Sequence, residues 1–173
     1  MTPRVKRITG ILFPSENQEL LAWSIERLSD IWGVPELQSQ AVPFDKTDYY
    51  HEIDPNLSRV FLCFPGLVNP EGLADWKHQA IGIEAMSRQP VRAVNIDPGY
   101  IDGARLILAS TKDHAHRIYL RDGIFAEVTL RYRFKNWQSF DYTFPDFQSR
   151  CYDDFLSQVR KLWLKEIKEV DLS

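Results

Sequence analysis

His114, His116, Glu127 and Thr129 flank an Asp122-Gly123 dipeptide, and imidazole and carboxylate are the side chains proteins use most often to move protons. Asp-Gly between two alternating runs predicts a two-residue type I′ hairpin over residues 114–133. Pairing Arg121 with Ile124 then sets Ile118 opposite Glu127, His116 opposite Thr129 and His114 opposite Arg131. Because side chains alternate along a strand, these residues share one face with Leu120 and Phe125. Tyr119, Ile124, Ala126, Val128, Leu130 and Tyr132 form the opposite, apolar face, with Arg117 as its exception.

Read as a site, the polar face offers His116 and Glu127 as acid/base groups, joined by Asp97 from the Asn95-Ile96-Asp97-Pro98-Gly99-Tyr100 segment. Lys112 and Arg117 are placed to hold an anion, with Asn95, Thr129, Asp48 and Tyr49 as further ligand contacts. An inward-facing Arg117 needs an acid partner, because an unpaired charge taken from water is costly, and Asp97 is the first choice. His114, His116 and Glu127 have the composition of a two-histidine, one-carboxylate set. Glu127 falls diagonal to His116 in this register, however, and no dense Cys/His spacing accompanies it, so no metal is expected and no cofactor is identified. Read as plain structure, the same face is a solvated sheet surface, Asp97-Pro98-Gly99-Tyr100 is a type II turn, and Asp45 and Thr47-Asp48 cap a local turn.

Two classes of function stay open. One is an enzyme or binder acting on an anionic small molecule, a nucleotide or phosphorylated metabolite. The other is an RNA- or protein-binding module using the same face, for which Phe125, Trp137 and the neighbouring arginines would supply stacking and charge. The phosphate loops GxxxxGK[ST] and GxGxxG are absent, as are GxSxG and HExxH, which disfavours the nucleotide-binding and hydrolytic devices those motifs encode.

The elements that must position these residues are read from periodicity. A strand over residues 5–13 leads into a helix opened by Ser15 and Gln18 in capping-box spacing and closed by Gly33 and Pro35. A strand around residues 37–43 and another over 59–64 follow. Asn69 and Pro70 then start a second helix, along which Leu73, Trp76, Lys77, Ala80, Ile83 and Glu84 keep a helical period. Residues 91–96 form a strand, 103–111 fit either a strand or a short helix, and 152–168 form a last helix. The order β-α-β-β-α-β predicts an α+β fold with a ferredoxin-like core and antiparallel sheet, extended by the hairpin and the final helix.

The 173 residues, 44% hydrophobic and 26% charged, suit one domain spanning the chain. The net charge of −3 argues against a general nucleic-acid coat. The longest apolar runs are too short to cross a bilayer and no signal-peptide pattern is present, so no membrane partner is expected. Cys63 and Cys151 have no framework spacing and read as reduced thiols of a cytoplasmic protein.

The stretches PFDKTDYY, NIDPGYIDGARLILASTKDHAHRIYLRDGIFAEVTL and YTFPDFQS resemble the family of small bacterial and archaeal proteins known as domain of unknown function DUF4416. The resemblance runs from ITGILFPS to TFPDF. It implies a stand-alone domain and assigns no activity. Residues 47–50, Asn95, residues 97–100, residues 111–113, His116, Arg117, Tyr119 and Glu127 match its motifs.

Overall fold

The computed structural model describes residues 2–45, 50–87 and 92–171. Among these, nine strands form one open antiparallel sheet: β1 (Lys6–Pro14), β2 (Leu37–Gln38), β3 (Val42–Pro43), β4 (Leu57–Cys63), β5 (Asn95–Ile101), β6 (Arg105–Ser110), β7 (Arg117–Arg121), β8 (Ile124–Arg133) and β9 (Asn136–Ser139). The order is β2-β4-β1-β5-β6-β8-β7, with β3 also on β4 and β9 also on β8. The helices are α1 (Gln18–Trp32), α2 (Leu73–Met86), α3 (Pro145–Gln148) and α4 (Asp153–Asp171).

The α+β class and the antiparallel sheet agree with the sequence reading, but the order of the whole nine-strand sheet differs from that of a ferredoxin-like sheet, which has four strands. In that arrangement each β-α-β half encloses a third strand. Here α1 leads from β1 to β2, and β4 lies between those two strands, antiparallel to both. Likewise α2 leads from β4 to β5, which are both antiparallel to β1 and hence parallel to each other with β1 between them.

Alternation along the central strands gives the sheet two buried faces. Ile11, Phe13, Val60 and Leu62 meet Leu28 and Trp32 of α1 and Trp76, Ala80 and Ile83 of α2. Ile8, Phe61 and Ile101 meet Phe147, Tyr152, Phe155, Leu156 and Val159 on the other side. Fully burying a side chain such as Phe61 contributes on the order of 2 kcal/mol. Lys6 is sunk in this second layer: fully buried, it pairs with Glu36 and, at 2.9 Å, with Glu166 of α4.

Several boundaries move for identifiable reasons. β1 runs to Pro14 opposite Leu57 and the Ser15 N–H goes to Asn56, so the α1 cap is Asn17, whose Oδ1 accepts from Leu20 N at 3.0 Å. The strand expected at 37–43 is broken into β2 and β3. At the break, Ser39 Oγ replaces a main-chain group by accepting from Phe61 N at 2.8 Å. Asn69 and Pro70 open a 3-10 turn, and α2 begins at Leu73. The expected turn at 97–100 is instead the middle of β5, because a seven-residue ladder with β1 outweighs a local Pro-Gly preference. Residues 105–110 are strand, which decides the ambiguous segment.

Asp122 and Gly123 turn the hairpin with φ of 51° and 76°, as a type I′ turn requires, and Arg121 faces Ile124. The register beyond that point differs from the expected one. A bulge between Tyr119 and Arg121 sets Ile118 opposite Ala126 and Arg117 opposite Glu127. β7 has no buried face to pin it, so the register slips where the chain is free to bulge. Residues 114–116 lie before the strand, so the His116–Thr129 and His114–Arg131 pairs do not form. β9 and α3 are additional elements. Phe134 and Lys135, both at positive φ, make the turn into β9 without the glycine that would announce it.

At Gly99 the strand β5 lies tight against β6: a Cβ there would lie 2.1 Å from the Ile107 carbonyl oxygen. Gly99→Ala is therefore expected to lower stability by about 3 kcal/mol, read by urea unfolding at unchanged m. A loss below about 0.5 kcal/mol would mean the strands are not so closely apposed.

Candidate functional site

The β5–β6 ladder covers only Gly99–Ile101 against Leu106–Leu108. Asp102 N donates to Arg105 O at 3.3 Å at the hairpin end, so alternation makes 100 and then 98 the positions whose main-chain groups face β6. Residue 98 is proline, which has no N–H to donate, and the ladder stops beside it. β6 continues along β8 instead. Ile96 is the next residue facing the gap, and side chains of α2 take its main-chain groups: Glu84 Oε1 accepts from Ile96 N at 2.7 Å, and Lys77 Nζ donates to Ile96 O at 2.8 Å. Between the diverging strands lies a cavity of about 350 Å³, walled also by α2, by Arg59 of β4 and by Phe144 and Phe147.

Asp97 stands on this wall. Lys77 Nζ donates to its Oδ1 at 3.1 Å, Asn95 Nδ2 donates to its Oδ2 at 2.7 Å, and Arg59 Nη2 lies 3.7 Å from Oδ2. Burial works to raise the Asp97 carboxyl, but Lys77 and Arg59 outweigh it and hold it below the ordinary carboxylate value. Arg59 is itself buried, paired with Asp146 and seated between the rings of Phe44 and Phe147 at 4.7 and 5.4 Å. Arg92 donates to Glu84 Oε2 and to Asn95 Oδ1, both at 3.1 Å, and so ties the entry of β5 to α2.

Across the cavity stands Glu127, whose Oε2 accepts from Arg117 Nε at 2.8 Å and bonds His116 Nε2 at 2.9 Å, while Oε1 accepts from Thr129 Oγ1 at 3.1 Å. Arg117 Nη1 donates to Ser110 Oγ at 3.0 Å and to Lys112 O at 3.1 Å. The acid partner of Arg117 is thus Glu127, not Asp97: the bulge that set residue 117 opposite residue 127 brought them together, while Lys77 and Arg59 already occupy Asp97.

Asn95, Asp97, Lys112, Arg117, Glu127 and Thr129 all line the one cavity. His116 touches Glu127 from outside this lining and stacks on Tyr142 at 3.9 Å. Asp48 and Tyr49 lie outside the described residues. Among the described residues no three His, Cys, Asp or Glu side chains converge as a metal site, and His114 stacks on His116 at 5.7 Å. Lys77, Glu84, Arg59 and Arg92 were missed by the sequence reading. A signal existed for two of them: Lys77 and Glu84 sit seven apart on the buried stripe of α2, where a charge needs a partner.

Because the folded Asp97 carboxyl titrates below its ordinary value of 3.8, its contribution is complete above that value and disappears as pH falls through the depressed one. Asp97→Asn should therefore lose stability at neutral pH and show a flatter acid limb in urea unfolding at stepped pH. Parallel profiles would contradict the pairing. Lys77→Met, which leaves Asp97 and Ile96 O short of a donor, is expected to cost about 3 kcal/mol by the same measurement.

No curated protein and no solved structure matches this chain. A family model described as a domain of unknown function (DUF4416) matches residues 3–163. The protein belongs to the DUF4416 family.

Proposed function

We propose that the cavity binds a small anionic molecule, a nucleotide or other phosphorylated metabolite. The observation that carries this reading is the charge on the wall: Arg59, Lys77, Arg92, Lys112 and Arg117 against Glu84, Asp97 and Glu127. The carboxylates are already engaged, each with a cation of this set, and Arg59 is paired as well with Asp146. Burial first, and the Arg117 guanidinium second, push the Lys112 ammonium below its usual range. Tyr50, Ile81, Leu108 and Phe144 supply the apolar remainder that orients a small ligand.

Glu127 is bonded to Arg117, Thr129 and His116, and Lys77 and Arg59 hold the Asp97 carboxyl below its ordinary value, so both carboxylates anchor cations on the wall. Binding is therefore the first reading. The second is turnover of the same ligand, favoured by the His116–Glu127 contact, in which His116 would exchange protons through Glu127. A cytoplasmic setting goes with both, given that Cys63 and Cys151 are unbridged and that no helix among the described residues is long and apolar enough to cross a membrane.

Titration calorimetry with ribose 5-phosphate tests the proposal. The phosphate ester is expected to bind, with affinity falling as salt rises, and Lys112→Ala and Arg117→Lys should each weaken it by about tenfold. Far-UV circular dichroism should stay unchanged in both variants. Absence of binding by the unaltered protein, or variants that bind as it does, would overturn the reading.

A further inference from the structure

Beside the cavity four planar side chains form a column. Phe140 and Tyr142 stack at 5.2 Å with ring planes 7° apart, Tyr142 and His116 at 3.9 Å and 8°, and His116 and His114 at 5.7 Å and 26°. The column is fastened to β8: Tyr142 Oη donates to Val128 O at 2.6 Å, and His116 bonds Glu127. One end is closed by the Arg131 guanidinium, 5.8 Å from the Phe140 ring centre. At the other end His114 is exposed, and no second ring covers it among the described residues. The held rings of Tyr142 and His116 back His114, whose outer face is open to another flat group.

The open end sits on the segment that supplies the anion-holding groups. Lys112 is two residues before His114 and Arg117 three after. Arg117 N donates to His114 O at 2.9 Å, and Arg117 Nη1 donates to Lys112 O at 3.1 Å, closing the segment on itself. Glu127 is shared, contacting His116 of the column and lining the cavity together with Arg117 and Lys112.

We propose that His114 is a base-stacking subsite, so that the anion this protein takes is a mononucleotide with its phosphate held by Lys112 and Arg117 and its base laid on the open face of His114. This rests on the anion-binding reading above and narrows it: a planar aromatic group attached to the phosphate should be recognised separately from the phosphate. Histidine is one of the side chains on which nucleic-acid bases stack, and the gain is sequence-tolerant because every base has a π-face.

The test compares adenosine 5′-monophosphate with ribose 5-phosphate on the full chain, by calorimetry, together with the proton shifts of the adenine ring. Adenosine 5′-monophosphate is expected to bind about tenfold more tightly, with its ring protons moved upfield by stacking. The ratio of the two affinities should fall toward one in His114→Ala and return in His114→Phe, which restores a planar ring without an imidazole. Equal affinities for the two probes, or a ratio untouched by His114→Ala, would overturn the subsite while leaving anion binding intact. If neither probe binds, both readings fail. If a single-stranded oligonucleotide binds but the mononucleotide does not, the column serves strand binding and the proposal is wrong.

Discussion

A proline at a position whose main chain must face a second strand fixes the layout of the molecule. Pro98 pairs with Thr9 on its β1 side, and on its β6 side it has no hydrogen to offer. The sheet must part there, and parting leaves Ile96 with a buried N–H and a buried C=O, groups that cost a few kcal/mol each if left unpaired. Glu84 and Lys77 of α2 resolve this by acting as the missing strand. Everything polar on that wall follows, because a buried Lys77 and Glu84 need further partners, which Asp97 and Arg92 supply.

The resulting wall links both layers of the fold. Arg59 from the β4 side reaches Asp97 and is held by Asp146, which also accepts from Tyr152 Oη at 2.8 Å. Buried ion pairs of this kind contribute little net stability compared with well-packed apolar side chains, because desolvation offsets most of their attraction. What they supply here is a rigid polar surface facing an open volume. Glu127 plays the matching part on the β8 side, its three donors fixing the direction in which Arg117 presents its guanidinium.

The sequence carried these features unevenly. Asp122-Gly123 announced its turn because both residues tolerate positive φ, but the register beyond it was not encoded locally, since β7 is exposed and nothing penalises a bulge. His116 still met Glu127, from a loop rather than from a strand. Asp97-Pro98-Gly99-Tyr100 has the local preferences of a turn, and only the distant partner β1 makes it a strand. Phe134-Lys135 adopts a glycine-like turn with neither residue signalling it. Lys77 and Glu84 were readable as charges on a buried stripe, yet their target, a main chain deprived of a strand, becomes visible only when the sheet is assembled.

This layout depends on Ile96 being satisfied by α2 in place of β6. Amide hydrogen exchange of Ile96 and Asp97 in the unaltered protein and in Glu84→Ala measures this directly, because the two adjacent amides face opposite sides of β5 and share any global change in stability. The predicted result is an Ile96 amide that is protected in the unaltered protein and exchanges much faster in the variant, while Asp97, facing β1 opposite Gly10, keeps its protection relative to it. An Ile96 amide that stays as protected as Asp97 without Glu84 would mean that another partner holds it, and that the sheet is not parted by Pro98 in the way described.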